Sequence, residues 1–62
     1  MYTYILEVDD VRANGKKYTF AVNPNVGESV VLYDEYYTIV GIVHEPSDGR
    51  DYKVFVKLES ED

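Results

Sequence analysis

The sequence predicts an all-β domain, a small barrel of five antiparallel strands in a strongly bent sheet. Apolar and polar side chains alternate with period two in several short runs, which is the pattern of half-buried strands. Clusters of Gly, Asn, Asp and Pro separate these runs and predict tight turns. An isolated glycine, Gly41, lies inside the longest run and predicts a bend that lets one strand serve two sides of the barrel. With 62 residues, the chain is expected to form a single domain.

The first two predicted strands form a hairpin. Residues 2–8 and 16–22 each alternate in polarity, and in the second run Tyr18, Phe20 and Val22 are expected on the inward face. Asn14-Gly15 lies between the two runs. This dipeptide favours a type I′ turn, because both central residues of that turn need a positive φ. We therefore expect a hairpin closed at Asn14-Gly15.

Residues 27–43 form the central ribbon of the predicted fold. Two runs rich in β-branched and aromatic residues, 29–33 and 36–44, flank the polar dipeptide Asp34-Glu35. This arrangement predicts a second hairpin that turns at Asp34-Glu35. Because an isolated hairpin is marginally stable in water, the other strands are expected to pair with this ribbon.

The last part of the chain predicts one further strand. Residues 45–51 are rich in turn-forming residues and lead into a fifth strand at residues 51–58. Residues 59–62 are expected to form a short, frayed acidic tail. Five strands joined in this way leave two exposed edges unless the sheet closes, so we expect a closed barrel.

The central ribbon resembles the central hairpin of SH3-like barrels, including the small barrels that phages and mobile elements encode. The residues that carry the resemblance are Gly27 and Val30, followed by Tyr37, Ile39 and Gly41-Ile42. The resemblance implies an SH3-like fold for the single domain of residues 1–62, and a fold alone does not imply a function. In size and acidity the chain also resembles small phage accessory proteins. Many of those, such as anti-defence proteins, inhibit host machinery by occupying a functional surface.

The charge of the chain favours a protein partner over nucleic acid or membrane. Twelve acidic residues against six basic ones give a net charge of −6. Direct nucleic-acid binding and docking on anionic membrane both depend on Lys and Arg, so neither is expected. The net charge is explained by solubility alone, because it prevents self-association, or by an acidic surface suited to a partner protein with a basic surface.

Location follows from the same composition. The first residues lack the pattern of a signal peptide, and no apolar run approaches membrane-spanning length. The chain has no cysteine, which fits a reducing compartment. We expect a cytoplasmic protein, located in the host cytoplasm if a phage encodes it.

No motif for catalysis or cofactor binding is found in the sequence. Phosphate-binding loops, nucleophile elbows and zinc-binding patterns are missing, and the single histidine, His44, cannot form a zinc site by itself. Glu45, Asp48 and Asp51 offer oxygen ligands for calcium. Their spacing differs from that of an EF-hand loop, and Arg50 lies among them. We therefore expect no enzymatic activity, no cofactor and no bound metal.

The aromatic content is the most informative feature for function. Seven tyrosines and two phenylalanines are more than the core of a tiny barrel can hold, and some strands are apolar on both faces. One explanation is that the bend at Gly41 folds both faces into one core. The other is that a second chain covers the outer face. Small domains without disulfides or metals often gain stability by oligomerising, so we expect a homodimer.

These observations predict a non-enzymatic protein–protein interaction module, in particular a phage-type inhibitor that blocks a host protein. Two alternatives stay open: a nucleic-acid-associated or translation-associated barrel, and a peptide-binding adaptor. The interface is expected to combine apolar anchors at its centre with acidic residues at its rim. The predicted anchors are Ile5, Tyr33, Tyr37 and Phe55, and the predicted rim residues are Asp9, Asp10, Asp34 and Glu35.

Overall fold

Five β-strands form the regular structure of residues 2–46 and 53–61, which are the residues that the computed structural model describes. The all-β class predicted from the sequence is confirmed. The strands are β1 (Tyr2–Glu7), β2 (Lys17–Phe20), β3 (Ser29–Leu32), β4 (Glu35–Glu45) and β5 (Lys53–Ser60).

The strands form one strongly curled sheet in the order β2-β1-β5-β4-β3. Three of its four neighbouring pairs are antiparallel, whereas β1 and β5 run parallel, with Ile5 opposite Phe55. The expectation of a purely antiparallel sheet is therefore wrong. Consecutive strands alternate in direction, so the first and the fifth point the same way. When these two strands become neighbours, their pairing has to be parallel.

The sheet stops at a half barrel. Its edges are β2 and β3, and within the described residues no hydrogen-bonded pairing joins these two strands. The closed barrel expected from the sequence is therefore not formed, and two strand edges remain. The connection between β2 and β3 joins the sheet at Gly27, whose amide donates to the carbonyl of Ile39 in β4 at 2.8 Å.

The first hairpin is present, but its turn differs from the predicted one. β1 and β2 pair antiparallel, with Thr3 opposite Thr19. Gly15 has a positive φ of 82° and Asn14 does not, so these residues do not form a type I′ turn. Instead, the carbonyl of Asp10 accepts the amides of Ala13 and Asn14, which makes one helical turn inside a longer loop.

The second hairpin turns one residue earlier than predicted. Tyr33 and Asp34 have φ values of 51° and 65°, and Leu32 lies opposite Glu35. A two-residue loop with both φ values positive is a type I′ turn. The sequence did not indicate this position, because tyrosine seldom adopts left-handed backbone.

The bend predicted in β4 is confirmed as a β-bulge. Ile39 lies opposite Leu58 and Gly41 opposite Lys57, which leaves Val40 as the extra residue. A Cβ atom added to Gly41 would meet only the Lys57 side chain, at 3.6 Å. Because of the extra residue, the alternation of inward-facing side chains shifts along β4: Ile39 faces inward before the bulge, and Ile42 faces inward after it.

The core fills the inside of the curl. Ile39 and Val56 are its most buried side chains, with 1% and 0% of their surface exposed. The remaining buried residues come from β1, the loop after it, β3, β4 and β5: Leu6, Val8, Ala13, Val30, Leu32, Tyr37 and Leu58.

The acidic end of the chain is part of the sheet. β5 continues to Ser60, and the Glu61 amide donates to the carbonyl of Tyr36 at 3.1 Å. Glu61 also accepts hydrogen bonds from the side chains of Ser29 and Thr38. The expected frayed tail is therefore ordered up to Glu61, and Asp62 lies outside the described residues.

Candidate interaction surface

Arg12 joins the first loop to the second hairpin. Its guanidinium forms an ion pair with Asp10 at 2.6 Å, and its central carbon lies 4.2 Å from the centre of the Tyr33 ring. The Tyr33 hydroxyl donates to the carbonyl of Arg12 at 3.3 Å. A guanidinium over an aromatic face is a favourable cation–π contact. These contacts hold the ring of Tyr33 in its left-handed turn.

Tyr37 completes this cluster from the inside of the curl. Its hydroxyl donates to Glu35 at 3.0 Å and lies 3.4 Å from a carboxylate oxygen of Asp10. The hydrogen bond to the Glu35 carboxylate and the burial of the hydroxyl raise the pKa of Tyr37 to about 12. The side-chain and backbone hydrogen bonds from Arg12 lower the pKa of Asp10 to about 2.

Four of the eight predicted interface residues thus meet around Arg12, which the sequence analysis did not select. We call Asp10, Arg12, Tyr33, Glu35 and Tyr37 the latch, because they tie the loop after β1 to the β3–β4 turn. Only 5% of the Tyr37 surface is exposed, so Tyr37 belongs to the core instead of the exposed surface. Asp10 is likewise engaged within the chain and is not an open rim charge.

A second cluster lies on the outer face of the sheet. Ile5 lies opposite Phe55 across the β1–β5 pair, and Phe55 lies opposite Val43 across the β4–β5 pair. Directly opposed residues share a face, so these three side chains form one apolar row across three strands. Ile5 and Phe55 are half-buried, and Val43 is 40% exposed. The structure therefore brings together the predicted anchors Ile5 and Phe55 in this outer row.

The charges around the outer row are mixed. Lys17 lies opposite Ile5, and Lys53 lies opposite Glu45. The ammonium group of Lys57 lies 3.7 Å from a carboxylate oxygen of Glu7. Lysine and glutamate side chains thus alternate beside the apolar residues.

The β3–β4 hairpin has a different character. Val31 and Tyr36 lie opposite each other and are 51% and 61% exposed. The chain has no lysine or arginine between residues 18 and 46, whereas Glu28, Asp34 and Glu35 all belong to or border this hairpin. The residues of this hairpin are therefore aromatic and acidic, with Arg12 of the latch beside them at Tyr33 and Glu35.

The two remaining predicted rim residues are exposed but lie in different places. Asp34 occupies the β3–β4 turn, beside the latch. Asp9 lies in the loop after β1, where it borders a shallow groove together with Val40 and Lys57. The predicted interface residues thus divide among the latch, the outer row and the β3–β4 hairpin, which we call the acidic hairpin, and Asp9 lies apart from all three.

Comparison of the chain with protein-family models, curated proteins and solved structures finds no match. The part of the chain that the structure describes contains no helix able to span a membrane. It also contains no group of three or more His, Asp or Glu side chains placed to hold a metal ion, and Asp48 and Asp51 lie outside it. The function is therefore inferred from the surface of the chain itself.

Proposed function

We propose that this chain is a non-enzymatic protein-binding module that acts as a homodimer. The observation that carries the proposal is the outer row of Ile5, Val43 and Phe55, an apolar surface across three strands over which no other described element packs. Apolar strand faces are normally covered, and burying them stabilises a protein by about 25 cal/mol per Å². A second copy of the chain supplies that cover.

The charge pattern assigns the outer row to the dimer contact. In a two-fold dimer the same patch meets itself, so a patch with one sign of charge would repel its copy. The outer row is bordered by Lys17, Lys53 and Lys57 together with Glu7 and Glu45, so the partner's lysines can approach glutamates. The acidic hairpin lacks this self-complementarity.

The acidic hairpin is proposed to bind the partner protein. Its exposed aromatic residues, Tyr33 and Tyr36, offer large apolar contacts, and its carboxylates attract a basic surface. Binding would itself be the activity, because a bound module blocks the surface that it occupies. This is how the small phage inhibitors that the chain resembles act, and we place the encounter in the cytoplasm of the host cell. The relation to SH3-like barrels is likewise a proposal, based on the pattern of the central hairpin.

The dimer is tested by measuring the mass in solution by light scattering, from about 1 to 200 µM protein. We expect Phe55→Glu to give monomers where the wild type is dimeric, because it buries a charge at the centre of the contact. Val43→Glu is a milder second variant, since Val43 is already 40% exposed.

Tyr36→Glu is the matched control, because it places the same charge at an exposed aromatic position of the acidic hairpin and should leave the dimer intact. The circular dichroism of each variant checks that the sheet is retained. A wild-type chain that stays monomeric over this concentration range would contradict the dimer.

Partner binding is tested separately by affinity capture on the immobilised chain. We expect one dominant protein to be retained after nuclease treatment and to be lost as salt screens the acidic hairpin. Tyr36→Glu should weaken this capture, whereas Val43→Glu should not. Loss of the bound material on nuclease treatment would instead favour the nucleic-acid-associated alternative.

A further inference from the structure

We propose that the partner is captured by strand addition: an extended, basic segment of the partner protein pairs with the open edge of β3, in the gap between β3 and β2. This inference rests on the proposed function and specifies how the acidic hairpin would recognise its target. Strand addition is a common mode of peptide recognition, in which main-chain hydrogen bonds supply affinity and alternate side chains supply specificity.

The edge of β3 has backbone groups available for such pairing. The Ile39 amide donates to the carbonyl of Glu28 at 2.9 Å, which fixes the phase of the β3–β4 ladder. Hydrogen-bonded pairs alternate along an antiparallel ladder, so the backbone of Val30 bonds to β4. The amides and carbonyls of Ser29 and Val31 point to the open side instead.

The sequence of β3 leaves this edge unprotected. Proteins usually guard an exposed edge with charged residues, proline or a bulge. The strand Ser29–Leu32 contains only Ser, Val and Leu and pairs regularly with β4; the bulge lies before it, where Gly27 and Glu28 both bond to Ile39. The other edge strand, β2, carries Lys17 and is therefore better protected.

The open edge borders a groove with an apolar lining. Two cavities of about 290 and 350 Å³ lie along the gap between β2 and β3. The larger is lined by Tyr18 and Leu32 among others, and the smaller by Phe20 and Val30. A strand of four or five residues is about 13 to 17 Å long and matches the length of β3. Its inward side chains would fill the groove and complete the half barrel.

The charges around the edge specify the occupant. Glu28 precedes β3, Asp34 follows it, and Glu61 accepts a hydrogen bond from the Ser29 hydroxyl at 2.7 Å. Lys16 and Lys17 line only the β2 side of the groove. A segment alternating apolar residues with Lys or Arg would place its cations beside the acidic side of β3. A second copy of this chain is a poor occupant, because its own β3 is flanked by the same carboxylates.

The probe is an eight-residue peptide of alternating valine and lysine, blocked at both ends, added to the ¹⁵N-labelled full chain. We expect the largest amide chemical-shift changes at residues 29–32 and new protection of the Val31 amide from exchange. Val31→Pro removes that donor without removing a β4 hydrogen bond, and should weaken binding at least about tenfold, equivalent to about 1.4 kcal/mol. Val31→Thr keeps the donor and should bind within about threefold of the wild type.

Two further peptides test the inference. A backbone N-methylated form of the peptide should lose binding even if Val31→Pro is poorly folded, because it leaves the protein unchanged. A glutamate–valine peptide should bind at least about tenfold more weakly, by charge repulsion. Equal binding of the two charge types, or shifts confined to the outer row, would overturn the inference.

The other edge and the dimer are controlled independently. Thr19→Pro makes the matching change in β2. If Thr19→Pro lost peptide binding and Val31→Pro kept it, the site would lie at β2 and the proposal for β3 would be refuted. Val43→Glu should weaken the dimer and leave peptide binding within about twofold. A dimer that binds no peptide would refute strand addition alone, whereas a monomer that binds the peptide would refute only the dimer.

Discussion

At the scale of single residues, Arg12 connects two segments that lie far apart in the sequence. It pairs with Asp10 in its own loop and stacks on Tyr33, which lies 21 residues further along the chain. The hydrogen bonds from Arg12 hold the pKa of Asp10 at about 2. A carboxylate with a lowered pKa stabilises the folded state above its unfolded pKa and loses that effect as the pH falls through the folded value.

We therefore predict that Arg12→Gln raises the pKa of Asp10 toward its ordinary value of 3.8 and makes the protein more sensitive to acid between pH 4 and 2. The measurement is a ¹³C NMR titration of the Asp10 carboxylate, with circular dichroism to follow acid unfolding. Arg12→Lys is the matched control. Lysine keeps the positive charge but not the forked hydrogen bonds, so the pKa of Asp10 in this variant should lie between its values in the wild type and in Arg12→Gln. If the pKa of Asp10 stayed near 2 in Arg12→Gln, the Arg12 side chain would not be the cause of the lowered pKa.

At the scale of the elements, the two hairpins close by different means. The first uses a helical turn after Asp10, and the Val8 amide donates to the Asn14 side chain at 3.2 Å. The second uses a type I′ turn without glycine, and Tyr33 and Asp34 both have a positive φ. Left-handed backbone disfavours residues with a Cβ atom by about 1 kcal/mol or more, and Asp tolerates it better than most. The contact with Arg12 offsets this strain at Tyr33.

We predict that Asp34→Gly raises the free energy of unfolding by up to about 1 kcal/mol, because glycine adopts this conformation without strain while adding some entropy to the unfolded chain. Urea unfolding provides the measurement. Tyr33→Gly relieves the same kind of strain but loses the Arg12 contact, so it should gain less or lose stability. If Asp34→Gly were the more damaging of the two, the turn could not have the geometry described.

The alternation of polarity predicted the strands well, and it predicted the turns poorly. Period two correctly indicated both strands of the first hairpin, although β2 ends at Phe20 and Val22, expected to face inward, is 69% exposed. Gly41 correctly indicated the bulge in β4. Asn14-Gly15 was misleading, because a capping carboxylate at Asp10 favours a competing turn. The Tyr33 turn depends on Arg12, a contact between distant residues that no local pattern encodes.

The residues of the candidate interaction surface also fall into those that the sequence pattern predicted and those that it did not. The pairing of Ile5 with Phe55 follows from strand order, and alternation placed both residues on an apolar second face. Tyr37 was misjudged, although period two from the buried Ile39 puts it on the inner side. Arg12 was missed because a lone arginine in a loop gives no signal until the fold brings Tyr33 beside it.

At the scale of the whole molecule, stability depends on a very small core. Chains of this size have free energies of unfolding of about 3 to 9 kcal/mol, from about 0.05 to 0.15 kcal/mol per residue. Ile39 and Val56 are almost completely buried where β4 and β5 meet. The loss of either side chain would remove a large part of that stability.

We predict that Ile39→Ala lowers the free energy of unfolding by about 2 to 5 kcal/mol and leaves much of the protein unfolded. Val40→Ala is the matched control, since Val40 is the next residue and is 42% exposed; its effect should stay below about 1 kcal/mol. Urea unfolding of both variants at one protein concentration gives the comparison. Similar losses in the two variants would contradict the inward placement of Ile39.

The parallel pair of β1 and β5 has a consequence for biosynthesis. β1 leaves the ribosome before the other four strands and meets its neighbour β5, the central strand of the sheet, only when β5 has emerged. Until then the nascent chain holds two separate hairpins, and a lone hairpin is marginal in water. β5 must therefore be translated before the native sheet can assemble. Late stalling or premature termination would release a polypeptide that proteases degrade readily.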